Sequence, residues 1–121
     1  LSLVGSEMCI RDSVYRPDLS VYLAAQLPVR VGRLVLPPSL AVEVLSPGSE
    51  PLDYITKRDD YETFGVGEYW VVDPADGSIR SWRRLDARLV EVKVGGDSLA
   101  STAVPGFVLE LPPIRELSAG E

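Results

Sequence analysis

Residues 40–45 read Leu-Ala-Val-Glu-Val-Leu, a glutamate set inside an apolar run. A short uninterrupted stretch rich in Val and Leu forms a strand covered on both faces. Alternation puts Glu43 on one face with Ala41 and Leu45, and Leu40, Val42 and Val44 on the other. A carboxylate in such a strand must be paired, protonated or bound to a cation, because an unpaired buried charge is costly. The fold therefore has to bring Glu43 a partner from elsewhere in the chain.

The next segment offers one. Ser46-Pro47-Gly48-Ser49 reads as a loop, with Ser49 as a helix N-cap, Pro51 in the first turn, and Glu50 and Asp53 at the positive end of the helix. Gly65 stops the pattern, which predicts a helix over 50–64. At about 100° per residue, Tyr54, Lys57, Tyr61 and Phe64 fall within one arc of ~80°. Asp53 lies at its edge, while Arg58, Asp59, Glu62 and Thr63 point elsewhere. Lys57 thus stands in the middle of an aromatic face that looks inward. Phase alone leaves two readings: a structural pair with Asp53 one turn earlier, its stem lying along the rings, or a functional lysine.

Strands are expected on both sides of this helix. Upstream, Pro17 interrupts an extended segment and Asp18 opens a short strand, with Leu19, Val21 and Leu23 against Asp18, Ser20 and Tyr22. Taken alone, an Asp after Pro is a turn residue. Residues 24–38 hold four turn-forming Pro and Gly and read as a surface loop carrying solvated Arg30 and Arg33. Downstream, Glu68 to Asp73 is a second buried strand, closed by the turn Asp73-Pro74-Ala75-Asp76-Gly77. Residues 78–84 alternate, with Ile79 and Trp82 packing. In residues 89–94, Val90, Val92 and Val94 share a face, Glu91 and Lys93 take the other, and Leu89 is out of phase. Gly95-Gly96-Asp97-Ser98 signals a hairpin, with residues 98–104 returning as a strand. Pro105-Gly106-Phe107 turns into a last strand over 108–111, and residues 112–117 form one helical turn. The pattern is an α/β (α+β) domain: a mixed central sheet, a crossover helix joining a parallel pair, and a C-terminal antiparallel meander.

Composition narrows the chemistry. With 121 residues, 45% of them hydrophobic, one domain with a modest core is expected. Twelve basic against 18 acidic residues give a net charge of −6, which argues against polyanion binding through bulk charge but leaves room for a local basic groove. The chain has no histidine, so a His-based triad, a His-ligated zinc and imidazole proton shuttling are excluded. The single Cys9 excludes an internal disulfide and a cysteine metal cluster, and fits a reducing compartment, hence a cytoplasmic location. No apolar run is long enough to span a membrane, so no membrane partner is expected. Residues 1–13 resemble a translated adapter sequence and are expected to be a non-native leader, with the domain over 14–117 and a tail over 118–121.

Four segments can be taken together: Pro17-Asp18; Glu43-Val44-Leu45-Ser46; Asp53, Lys57 and Tyr61 at successive turns; and Gly65-Val66-x-Glu68-Tyr69-Trp70-x-Val72-Asp73-Pro74. In this order they resemble the Uma2 family of restriction-endonuclease-like proteins, within the PD-(D/E)xK nuclease superfamily. The turn Pro105-Gly106-Phe107 is similar to the family's closing segment. The resemblance implies a restriction-endonuclease-like sheet with an acidic site at its centre, Asp18 matching the first acid and Glu43 the second. The superfamily's usual lysine would fall at Leu45, which cannot serve, and the family takes its lysine from the following helix, here Lys57. The implied activity is hydrolysis of DNA phosphodiester bonds with Mg²⁺, or another divalent cation such as Mn²⁺. Asp18, Glu43 and the backbone carbonyl of Val44 would be its ligands, and Asp18, Glu43 and Lys57 the catalytic set. DNA is the implied partner, and the resemblance leaves room for a homodimer. Two alternatives stand beside it: a non-catalytic binding or assembly module on the same fold, and an inactive fragment truncated at its N-terminus. A missing N-terminal part would leave Val42, Val44 or Val71 as an uncovered apolar patch.

Overall fold

Glu43 lies on one of the two strands that flank the helix. The computed structural model describes residues 2–3, 8–10, 13–26, 30–31, 34–47 and 51–111. In chain order these form β1 (Ser2–Leu3), β2 (Met8–Ile10), β3 (Ser13–Tyr15), β4 (Leu19–Tyr22), a 3₁₀ turn (Ala24–Gln26), β5 (Arg30–Val31) and β6 (Leu34–Val35). There follow β7 (Leu40–Val44), α1 (Pro51–Phe64), β8 (Glu68–Asp73), β9 (Ser78–Leu85), β10 (Arg88–Val92), β11 (Ser98–Ala100) and β12 (Val108–Glu110). The main sheet has the order β1-β4-β7-β8-β9-β10. Only β7 and β8 run parallel in it, joined through α1, with Glu43 opposite Val71. The α+β architecture, with its parallel pair and antiparallel meander β8-β9-β10, is the one expected.

Alternation gives the sheet two covered faces. Ala41, Tyr69, Val71, Trp82 and Leu89 face α1, where Tyr61 and Val66 complete a buried cluster and Tyr54 and Phe64 pack against it. Val21, Leu40, Val42, Trp70 and Val72 face the other way, under Val104, with Leu99, Phe107 and Leu109 against them. Each large side chain withdrawn from water in this way contributes roughly 1.5–3 kcal/mol.

The helix end shows how local sequence sets the geometry. Gly65 adopts φ 104°, a conformation open to glycine, and stops α1. The N–H groups of Gly65 and Val66 both reach the carbonyl of Tyr61 at 3.0 Å. Arg84 on β9 donates to the carbonyls of Glu62 at 2.7 Å and Val66 at 2.8 Å, satisfying groups the helix leaves open. Gly67 then enters β8 against β7: a Cβ there would lie 2.7 Å from the carbonyl oxygen of Ser39.

Four expectations need correcting. Gly95-Gly96-Asp97-Ser98 does not close a hairpin: β10 pairs with β9, while β11 pairs with β12 in a separate two-stranded sheet. The uncovered face over Val42 and Trp70 needs a lid, and the chain leaves the main sheet to supply it. The strand predicted over 98–104 ends at Ala100, because residues 101–103 turn inward onto Glu68, whose Oε1 accepts Ser101 Oγ at 2.6 Å and the N–H groups of Thr102 and Ala103 at 3.1 Å. The out-of-phase Leu89 is the residue that packs under α1, leaving Val90 42% exposed. Finally, Val42 and Val71 are 7% and 3% exposed, covered by the β11–β12 layer and by α1 respectively; of the three valines expected to form a patch, Val44 alone is exposed.

Within the stretch expected to be a leader, Ser2–Leu3 pairs antiparallel with Val21 and Tyr22 of β4. The helical turn expected over 112–117 and the tail over 118–121 lie outside the described residues. The expected surface loop over 24–38 contains the 3₁₀ turn and the short pair β5–β6. Gln26 ties it to the residues leading into β7, accepting from Ser39 Oγ at 2.6 Å and donating to the carbonyl of Pro37 at 3.0 Å.

Candidate active site

β4 runs antiparallel to β7 with Leu19 opposite Val42 and Ser20 opposite Ala41. One step further along this register, Asp18 faces Glu43. The two acids therefore stand side by side on the α1 face of the sheet, at the end of β7 where the chain leaves for the helix. Asp18 Oδ2 accepts the backbone N–H of Val44 at 2.7 Å, which fixes the carboxylate beside the strand end. In an extended strand the N–H and C=O of one residue point to the same edge, so the Val44 carbonyl faces the Asp18 side as well.

Glu43 receives its partners from α1. Its side chain is 8% exposed, and Lys57 Nζ lies 3.5 Å from Oε2. The Tyr61 hydroxyl donates to the other oxygen, Oε1, at 2.8 Å. One helical turn separates Lys57 from Tyr61, so the two residues approach the carboxylate from the same helix face. The lysine of the inward face is thus paired with Glu43. Burial pushes the Glu43 carboxyl above its ordinary range; the Tyr61 hydrogen bond and the Lys57 charge oppose the shift, and the neighbouring Asp18 adds to it. Burial, with the Glu43 charge nearby, raises the Tyr61 hydroxyl so far that it stays a donor at any physiological pH.

Arg16, Asp18, Glu43, Val44, Leu45, Ser46, Tyr54 and Lys57 line one open cleft of ≈ 270 Å³. Its Tyr54 wall is braced from β9. Arg80 Nη1 donates to the Tyr54 hydroxyl at 2.8 Å, and the guanidinium lies 5.4 Å from the Tyr54 ring centroid and 4.9 Å from that of Trp82. Glu91 on β10 grips the same guanidinium through two bonds of 2.9 and 2.8 Å. That pair raises the Arg80 guanidinium and lowers the Glu91 carboxyl from their ordinary values.

The structure therefore brings together Asp18, Glu43, Val44 and Lys57, all singled out in the sequence. It adds Tyr61 as a direct partner of Glu43, for which the Lys57–Tyr61 spacing was the available signal. Asp60, buried on α1 and hydrogen-bonded by the Tyr15 hydroxyl, is not among the residues lining the cleft. Among the described residues, no group of three or more His, Cys, Asp or Glu side chains is placed to hold a metal ion. Among the lining residues, the side chains that carry oxygen are the carboxylates of Asp18 and Glu43 and the hydroxyls of Ser46 and Tyr54.

A mixed sheet with one helix packed across its parallel pair is the fold of a nuclease-like α+β domain. The family model of Uma2, described as "Putative restriction endonuclease", matches residues 3–112, and the chain belongs to that family. Its fold is shared with the crystal structure of a "putative nuclease belonging to DUF820" from Anabaena variabilis ATCC 29413, with a TM-score of 0.66 and 15% sequence identity. The match covers 89% of this chain and 63% of the other, so the chain spans less than two thirds of that relative's length. At this identity the likeness establishes the fold. No curated protein matches the chain. No helix among the described residues is long and apolar enough to cross a membrane.

Proposed function

We propose that the cleft is the active site of a Mg²⁺-dependent endonuclease that hydrolyses DNA phosphodiester bonds. The observation that carries this reading is the convergence of Asp18, Glu43 and Lys57, from three separate segments, on one open cleft. The donor set fits the cation. Mg²⁺ is bound through oxygen, typically one or two carboxylates plus waters, and Mn²⁺ tolerates the same ligands. Burial raises the cost of the charge on Glu43, a cost that a bound cation would lower. Asp18, Glu43 and the Val44 carbonyl would hold the ion. When bound, it would supply charge to stabilise the transition state and acidify a water.

The chain's own residues do the rest. The Val44 N–H fixes Asp18 so that its other oxygen is available to the cleft. Tyr61 and Lys57 hold Glu43 from two sides. The Lys57 side chain is 34% exposed, and its ammonium can reach both Glu43 and an oxygen anion in the cleft, where it orients a water or balances charge on a phosphate. With a net charge of −6, DNA contacts must be local. Arg16, in the cleft lining, would be one candidate for such a contact. Incubation of the protein with supercoiled and linear DNA, with Mg²⁺ or Mn²⁺ and with a chelator, tests the reading. Metal-dependent nicking or cleavage is expected. No cleavage with either ion and either DNA form would favour a non-catalytic binding or assembly module instead.

A further inference from the structure

Tyr61 is 0% exposed and is not among the residues lining the cleft, yet its hydroxyl is committed to one oxygen of Glu43. The ring is locked by its neighbours. Its centroid lies 5.1 Å from that of Tyr69 and 5.5 Å from that of Tyr15, both edge-to-face. The hydroxyl therefore has a fixed position. It engages Oε1, while Oε2 lies on the side of Lys57, a residue that lines the cleft.

From this geometry we infer that Tyr61 is a positioning residue that sets which divalent cation the site prefers. The inference rests on the reading of the cleft as a cation site. The final torsion of a glutamate is soft, so an unanchored carboxylate can rotate to offer a cation both oxygens. Ca²⁺ accepts two oxygens from one carboxylate in its larger and more flexible shell, whereas Mg²⁺ demands a tight octahedron and takes carboxylates one oxygen at a time. With Oε1 held by Tyr61, Glu43 presents one oxygen. That arrangement suits Mg²⁺ and denies Ca²⁺ the two-oxygen contact.

The test is calorimetric titration of the metal-free protein with Mg²⁺ and separately with Ca²⁺, for wild type, Tyr61→Phe and Tyr69→Phe. Tyr61→Phe keeps the packed ring and removes the anchoring hydroxyl. Tyr69→Phe removes another buried phenol from the same cluster, one whose hydroxyl is directed at the Tyr54 carbonyl and not at Glu43. We expect Tyr61→Phe to weaken Mg²⁺ binding by about 10-fold, as loss of a ligand's supporting hydrogen bond does, and to weaken Ca²⁺ binding less or strengthen it. The Mg²⁺-to-Ca²⁺ preference would then shift toward Ca²⁺ in this variant and stay unchanged in Tyr69→Phe. A preference unmoved by Tyr61→Phe, or moved equally by both variants, overturns the inference while leaving the cation site intact. A wild type that binds neither ion overturns the cation reading and this inference with it.

Discussion

Asp18 accepts the backbone N–H of Val44 at 2.7 Å, a bond that closes across 26 positions of sequence. It places the first acid against the strand end that carries the second, and aligns both with the helix that brings Lys57. The cleft is thus assembled by backbone register together with one side chain-to-backbone bond. Substitutions that spare the backbone should accordingly separate activity from folding, and substitutions at the strand junctions should not.

Lys57→Met keeps the stem beside Tyr54 and Tyr61 and deletes the ammonium. Single-turnover DNA cleavage should fall by about 100-fold, the scale of losing one well-placed charge at a transition state. The circular dichroism spectrum should stay native. Undiminished cleavage would remove Lys57 from the site.

Glu43 makes stability depend on pH in a defined direction. Its folded pKa is raised above 4.5, chiefly by burial, so the folded state holds this proton more tightly than the unfolded chain does. Stability is therefore favoured below the unfolded value and lost as pH rises through the raised folded value. In metal-free protein, Glu43→Gln should escape that loss. Its melting temperature relative to wild type should climb between about pH 4 and pH 7. Added Mg²⁺ should stabilise the wild type by about 2.7 kcal/mol at 100 times the dissociation constant, raising its melting temperature, and leave the variant unmoved. A difference that is flat across pH would contradict the burial of this carboxylate.

Glu68 lies on the opposite face of the sheet, 2% exposed. It receives Trp70 Nε1 at 2.9 Å on one oxygen, and Ser101 Oγ with two loop N–H groups on the other. Glu68→Gln replaces an acceptor by a donor inside a ring of donors. Denaturant titration should show a loss of about 2–3 kcal/mol. Cleavage per folded molecule should be unchanged, since the cleft is on the other face.

Gly67→Ala would set a methyl 2.7 Å from the carbonyl oxygen of Ser39. The neighbour is backbone and cannot rotate away, so the β7–β8 junction must shift. A destabilisation of about 1–3 kcal/mol is expected by thermal melting.

Much of this arrangement was legible because burying a charge is costly. Glu43 in an apolar strand and Lys57 in an aromatic helix face each demanded a partner, and each is the other's. Residues 51–64 could be read as helix from Pro51, the aromatic phase and Gly65. Helix phase gives a face but not a contact, so the bond from Tyr61 to Glu43 was not readable even though Tyr61 was placed inward. Glu68 was hidden for a different reason. It stands at the start of a strand, and three of its four hydrogen-bond donors lie more than 30 positions downstream. The Gly-Gly turn misled because it specifies a change of direction and not which strand the chain joins next. The uncovered sheet face over Trp70 decided that, and it exists only once the sheet is assembled.

The central claim is that Glu43 holds a catalytic cation, and DNA nicking by wild type and Glu43→Gln, side by side in Mg²⁺, tests it most directly. The substitution keeps the shape of the side chain and removes the charge that binds the ion. Wild type should convert supercoiled plasmid to nicked and linear forms only when Mg²⁺ or Mn²⁺ is present. Glu43→Gln, with a melting temperature equal to or above that of metal-free wild type, should leave the plasmid intact. Cleavage that persists in a folded Glu43→Gln protein would contradict the account.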